Sequence, residues 1–249
     1  MRKNIIFVLL FVLIAVLGFS SFMIVKEVSQ REKEKDDFEK LEELVSSESS
    51  EQETENQPDE GEIKPVSKRN LAPLFEQNPD CIGWIYIEGT TVDYPVMYTP
   101  DEPQKYLRKN FEGEYAMSGV PFLEGTRKLS DDNIVIYGHN MLNGTMFSDI
   151  TKYAEKTYFD EHRLIEFETA EGVKLYDIFA VVLLKDTDIW YYFDSAINDE
   201  HFYEMVDEII FRSLYETGIY PEYGKQILTL STCYGENDED RIIIIGTEK

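Results

Sequence analysis

Ile227-Leu228-Thr229-Leu230-Ser231-Thr232-Cys233 is followed by a polar turn, Tyr234 to Asp240, and then by Arg241-Ile242-Ile243-Ile244-Ile245-Gly246. Apolar and β-branched residues dominate both runs, each has the length of a strand, and the residues between them favour a turn. The stretch predicts two strands, 226–231 and 241–246, with a cysteine at the exit of one and an arginine at the entrance of the other.

Upstream, from about residue 65, short apolar stretches alternate with turn residues, a pattern closer to a barrel or sandwich than to βαβ repeats. The predicted strands are 82–87, 92–97, 119–123, 133–137, 164–168 and 174–184. Gly89 marks a turn between the first two, Glu171-Gly172 makes a hairpin turn between the last two, and Pro95 points to an edge or bulge. Helices are predicted at 71–77, 146–154 and 199–217. In the last, Phe202, Met205, Val206, Ile209, Ile210 and Leu214 recur with helical period and Gly218 stands ready to stop it. One face of that helix is expected to pack on the sheet.

The N-terminal quarter is of another kind. Arg2 and Lys3 precede an uncharged apolar run over 5–25. At about 1.5 Å per residue, roughly 21 residues reach about 30 Å, the hydrocarbon thickness of a bilayer. A cleaved signal peptide is the competing reading, since Gly18 and Ser20 offer a small-x-small site, but Phe22 to Val25 continue the run past it. The basic start favours a cytoplasmic N-terminus and an extracellular body, although Lys26 weakens the contrast. Residues 27–45 suit a solvated helix with Phe38, Leu41, Leu44 and Val45 on one stripe. Residues 46–62 are Ser/Glu-rich, have too few apolar groups to offset chain entropy, and read as a flexible spacer. The expected organisation is therefore a cytoplasmic tail (1–4), a transmembrane signal anchor (5–25), an acidic helical and flexible spacer (26–66) and one folded domain (67–249).

With 49 Asp plus Glu against 24 Lys plus Arg, the formal net charge is −25. That excludes a phosphate backbone as the main partner, because nucleic-acid binders cluster basic residues. A hydrophobic share of 43%, with 16 Tyr and 15 Phe, excludes a wholly disordered chain.

Cys233 is placed to react. A thiol where a strand meets a polar loop is rigidly held and open to solvent, as a nucleophile requires. Cys81 precedes an apolar strand and reads as a small buried side chain, and two cysteines beside so large a core do not make a disulfide framework. Of the three histidines, His201 sits at a helix start and His162 in a charged loop. His139 follows the strand Ile134-Val135-Ile136-Tyr137 and a glycine, the counterpart of the setting of Cys233. Arg241 pairs with nearby acidic residues on the plainer reading. If the turn joins antiparallel neighbours, Arg241 instead lies beside the thiol and can donate to a developing oxyanion. The histidines show no metal-ligand spacing, and no cofactor or metal is expected.

Taken together, Leu228 to Cys233, Arg241 downstream and Tyr137-Gly138-His139-Asn140 upstream resemble the sortases, membrane-anchored cysteine transpeptidases of Gram-positive bacteria. Thr229 to Cys233, Ile82-Gly83-Trp84-Ile85, Asp93-Tyr94-Pro95-Val96 and the long helix before the cysteine strand resemble class B. The similarity runs from about Leu71 to the C-terminus. It implies a mainly β fold, an eight-stranded barrel with peripheral helices, with Cys233 as nucleophile, His139 as acid/base and Arg241 as oxyanion stabiliser. Ser231 and Glu236, which flank the cysteine, are the implied contributors to a substrate groove. The implied partners are surface proteins with an Asn-Pro-x-Thr-type sorting signal, cleaved after Thr, and a peptidoglycan cross-bridge amine as acceptor. Three rivals stay open: an endopeptidase using water, a non-catalytic anchored adhesin in which Cys233 is structural, and a pilus-polymerising sortase.

Overall fold

The computed structural model describes residues 2–46, 67 and 69–249. The chain divides into two compact units, Met1–Lys40 and Leu41–Lys249. Helix α1 (Arg2–Ser46) supplies all of the first unit that is described. It joins the apolar run of 5–25 and the helix expected over 27–45 into one, because nothing between the two runs disfavours helix and i,i+4 pairs such as Glu27–Arg31 support it. Its apolar side chains, among them Phe11, Ile14, Phe19 and Ile24, are exposed, and the segment Leu9–Ser46 is long and apolar enough to cross a membrane.

The second unit is a closed barrel of eight strands: β1 (Cys81–Tyr86), β2 (Asp93–Met97), β3 (Phe122–Leu123), β4 (Asn133–Tyr137), β5 (Leu164–Thr169), β6 (Gly172–Lys185), β7 (Ile227–Cys233) and β8 (Asp240–Glu248). The order around it is β1-β2-β3-β4-β7-β8-β6-β5. Two neighbouring pairs, β2–β3 and β4–β7, are parallel and the rest antiparallel. Closure through β1 and β5 depends on Gly83, since the Glu168 carbonyl occupies the space a Cβ would need. Pro95 falls where β2 has β1 on one side and, among the described strands, none on the other, β3 reaching only Met97.

Short helices α2 (Ala72–Gln77) and α3 (Lys156–Glu161) and the longer α4 (Asp199–Phe211) surround the barrel. The Asn198 side chain accepts the His201 N–H, which caps α4 at its start. Phe202, Val206 and Ile209 then bury their side chains against Phe179, Val182, Trp190, Ile243 and Ile245. Burial of such a residue contributes about 1.5–3 kcal/mol, which outweighs helix propensity as the reason for α4.

Four larger differences separate the structure from the expectation. Helix α4 stops at Phe211, short of Gly218. Beyond Asp177, β6 has lost β5 as a neighbour, and residues 213–217 fill that edge: Leu214 N–H donates to the Val181 carbonyl (2.8 Å) and Thr217 Oγ1 to the Phe179 carbonyl (2.8 Å). The strand expected at 119–123 shrinks to β3, because Val120 N–H donates to the Tyr106 carbonyl (3.1 Å) and the Pro121 carbonyl accepts from Met97. The helix expected at 146–154 is a 3₁₀ segment, Ser148–Ala154, delayed by a left-handed Met146 (φ 59°). Residues 41–46 of α1 are not a purely solvated stripe: Leu41 and Val45 are buried, and the Val45 carbonyl accepts from Asn70 N–H (3.0 Å). The flexible spacer expected over 46–62 lies, apart from Ser46 at the end of α1, outside the described residues.

Candidate active site

Parallel pairing of β4 with β7 sets Tyr137 beside Ser231 and brings both strands to the same end of the barrel. Gly138 N–H donates to the Ser231 carbonyl (3.1 Å) and Thr232 Oγ1 to the Gly138 carbonyl (2.8 Å), so the chain beyond β4 stays laced to β7 as it reaches His139. Asn140 Nδ2 donates to the Cys233 carbonyl (3.1 Å), tying the histidine loop to the cysteine itself. Antiparallel pairing of β7 with β8 makes Cys233 and Arg241 direct cross-strand partners, a relation that brings side chains to one face with Cβ atoms about 4.5–5.5 Å apart. Cys233, His139 and Arg241 thus line one groove of about 360 Å³, together with Ser231, Tyr137, Leu107 and Asp186.

Cys233 is exposed and free; Cys81 is free and buried. Burial pushes the Cys81 thiol up to about 12, so it stays protonated. The half-buried His139 imidazole has Nε2 2.9 Å from the Leu107 carbonyl. Its pKa lies below the ordinary histidine value, chiefly through burial, with the Arg108 charge acting the same way and the Leu107 carbonyl opposing both. The Arg241 guanidinium is gripped by its own turn: Nη1 donates to the Asp238 and Asp240 carbonyls, and Nη2 to Asp186 Oδ2 (3.3 Å). Ser231 forms part of the floor, its hydroxyl bonded to Tyr191 OH (2.7 Å), and the Tyr191 ring leans on Tyr137 at 5.9 Å between centroids.

Of the residues singled out in the sequence, Cys233, His139, Arg241 and Ser231 meet in the groove. Glu236 does not line it and stands exposed on the β7–β8 turn. His162 binds the Glu88 carbonyl through Nδ1, away from these residues in the fold, and His201 serves the start of α4. Sequence reasoning passed over one wall, formed by Pro103, Gln104 and Leu107, and over Asp186. The 3₁₀ segment Lys105–Arg108 carries no periodic signal that would have revealed it.

A family model described as the sortase domain matches residues 85–249, well over half of the chain. The chain belongs to the sortase family. Sortase B of Listeria monocytogenes is 31% identical over 181 residues, covering 71% of this chain and 72% of that protein. The structure of Clostridium perfringens sortase B is similar with a TM-score of 0.67 at 31% identity, covering 72% of this chain and all of that one (100%). The Staphylococcus aureus sortase B–substrate complex has the same fold, with a TM-score of 0.76 at 24% identity over 89% of this chain and 98% of that one. The class is B, and the sortase is a cysteine transpeptidase.

Proposed function

We propose that this sortase cleaves a C-terminal sorting signal of the Asn-Pro-x-Thr type after Thr and joins the released acyl group to a peptidoglycan cross-bridge amine. The observation that carries the assignment of residues is the convergence of Cys233, His139 and Arg241 on one groove from three strand ends. Cys233 Sγ, as thiolate, attacks the Thr carbonyl carbon. The oxygen gains negative charge beside Arg241, whose guanidinium is already held by the turn and Asp186 and needs little reorganisation to donate. His139, as imidazolium, gives its proton to the departing amine as the C–N bond breaks, leaving a thioacyl enzyme. The incoming amine attacks the same carbonyl, loses a proton to His139 and expels the thiolate.

Substrate classes are supported by relatives: the Staphylococcus aureus sortase B was solved with substrate, and another sortase B, similar at a TM-score of 0.74, with triglycine. Ser231, on the groove floor, is assigned to the acyl donor's subsite; Glu236 has no such position. The apolar helix supports a single-pass anchor, with the N-terminus cytoplasmic and the domain outside the cell, where donor and acceptor are themselves membrane-tethered.

The test is incubation of the purified chain and of Cys233→Ala with a panel of sorting-signal peptides, with and without an oligoglycine or other amine, followed by mass spectrometry. Cleavage after Thr, a thioacyl adduct on Cys233 and an amide product that requires the amine are expected. Hydrolysis alone at every amine concentration, or turnover by Cys233→Ala, refutes the assignment.

A further inference from the structure

The contact between His139 Nε2 and the Leu107 carbonyl oxygen, at 2.9 Å, constrains the imidazole more than its length suggests. A carbonyl oxygen only accepts, so Nε2 carries the hydrogen, and it does so whether the ring is neutral or cationic. One nitrogen is left to gain and lose a proton. We propose that the Lys105–Arg108 turn is a positioning element that fixes His139 through the Leu107 carbonyl, so that Nδ1 is the nitrogen exchanging a proton with the reacting atoms. The inference rests on the acid–base role assigned to His139 above.

That carbonyl is held from several sides. Tyr106 is buried to 1% exposure, its hydroxyl donates to Asp80 Oδ2 (2.9 Å) and accepts from Asn78 Nδ2 (2.9 Å), and Lys105 pairs with the same Asp80 carboxylate. From the other side Gly119 presses its bare Cα against the turn. It has φ +60°, and a Cβ there would lie 2.5 Å from the Tyr106 oxygen and 2.6 Å from the Leu107 oxygen. Pro103, Gln104 and Leu107 also form a wall of the groove. The element that a bound peptide would touch is therefore the one that aims the imidazole. Protons balance through Nδ1 alone. In acylation the Nδ1 proton moves to the leaving amine, and in deacylation Nδ1 takes one proton from the attacking amine, while the Nε2 hydrogen stays on the ring, donated to the Leu107 carbonyl throughout.

Nitrogen-15 NMR of the full chain in detergent micelles, labelled at histidine, reads this directly at about pH 8, above the ordinary imidazole value of about 6.5. The other two histidines serve as internal references. His162 Nδ1 faces the Glu88 carbonyl (2.9 Å) and must carry its proton there, whereas His201 Nδ1 accepts from Ile197 N–H (3.2 Å) and must carry its proton on Nε2. Signals are assigned by their loss in single His→Gln variants. The expected spectrum shows His139 in the Nε2–H form, His162 in the opposite form and His201 like His139. A His139 in the Nδ1–H form, or an averaged mixture, overturns the proposal, and neither result depends on turnover, so it can stand or fall separately from the reaction assigned above. Gly119→Ala is expected to shift His139 toward a mixture and to lower kcat tenfold or more, with the His162 and His201 signals unmoved. Asp80→Ala, a milder perturbation of the same turn, is expected to act in the same direction. An unchanged His139 spectrum and kcat in a folded Asp80→Ala variant, or a change confined to KM, counts against the positioning role. If Gly119→Ala fails to fold, the wild-type spectrum and Asp80→Ala decide.

Discussion

Thr229, on the strand that ends in Cys233, is completely buried, and replacing it by valine removes its hydroxyl while keeping its shape. The hydroxyl joins two other buried groups: it accepts from Trp190 Nε1 (3.0 Å) and donates to Asn133 Oδ1 (2.9 Å), and Asn133 Nδ2 continues to the Phe193 carbonyl (2.9 Å). Thr229→Val leaves the indole N–H without an acceptor and the Asn133 oxygen without a donor, both away from water. A buried polar group stripped of its partner costs about 1–3 kcal/mol, so two such groups predict a loss of about 2–5 kcal/mol, discounted slightly for the hydration that valine avoids. Thr229→Ser keeps both hydrogen bonds and loses one methyl group, about 1 kcal/mol. The two substitutions therefore rank opposite to what hydrophobic burial alone would give: serine is tolerated and valine is not. Urea titration of the purified chain followed by tryptophan fluorescence measures both, with midpoints compared at unchanged slope. Valine as stable as wild type, or serine worse than valine, would refute the view that this polar chain holds the cysteine strand against Trp190 and β4.

Iodoacetamide on the native chain is expected to label Cys233 and spare Cys81, which is buried with its thiol pushed up to about 12; both should label after denaturation, as read by peptide mass spectrometry. Arg241→Lys should lower kcat by about 10²–10³, because a single ammonium cannot keep the turn carbonyls and Asp186 while also facing an oxyanion; a wild-type kcat in peptide cleavage would contradict this. Acid should weaken the fold through His139. Its folded pKa is depressed, so between that value and the ordinary value of about 6.5 the unfolded chain binds the proton more readily, and stability is lost as pH falls through this window. His139→Gln is accordingly expected to lose less stability than wild type between about pH 7.5 and pH 5.5 in urea midpoints, and an equal loss sinks the argument.

Much of this architecture is local and legible in the sequence. Strands β4, β7 and β8 announce themselves as β-branched runs bounded by polar turns, and α4 as a helical stripe ending in the aromatic and aliphatic contacts it makes. The pairing of Cys233 with Arg241 follows from a short turn between adjacent antiparallel strands, so proximity in sequence becomes proximity in space. Burial of Cys81 and exposure of Cys233 likewise follow from what surrounds each in the chain.

Other features depend on partners far along the sequence, where local preference has no vote. His139 reaches Cys233 only because β4 lies parallel to β7, a pairing that needs the whole intervening crossover through β5, β6 and α4. Helix α4 ends at Phe211 because the open edge of β6 offers Val181 and Phe179 better partners for residues 213–217 than another helical turn would. The orientation of the imidazole is set by a carbonyl, and every residue has one. Composition and spacing can nominate a histidine, but which of its nitrogens meets an acceptor is decided by the backbone oxygen of Leu107, which only the folded chain delivers to it.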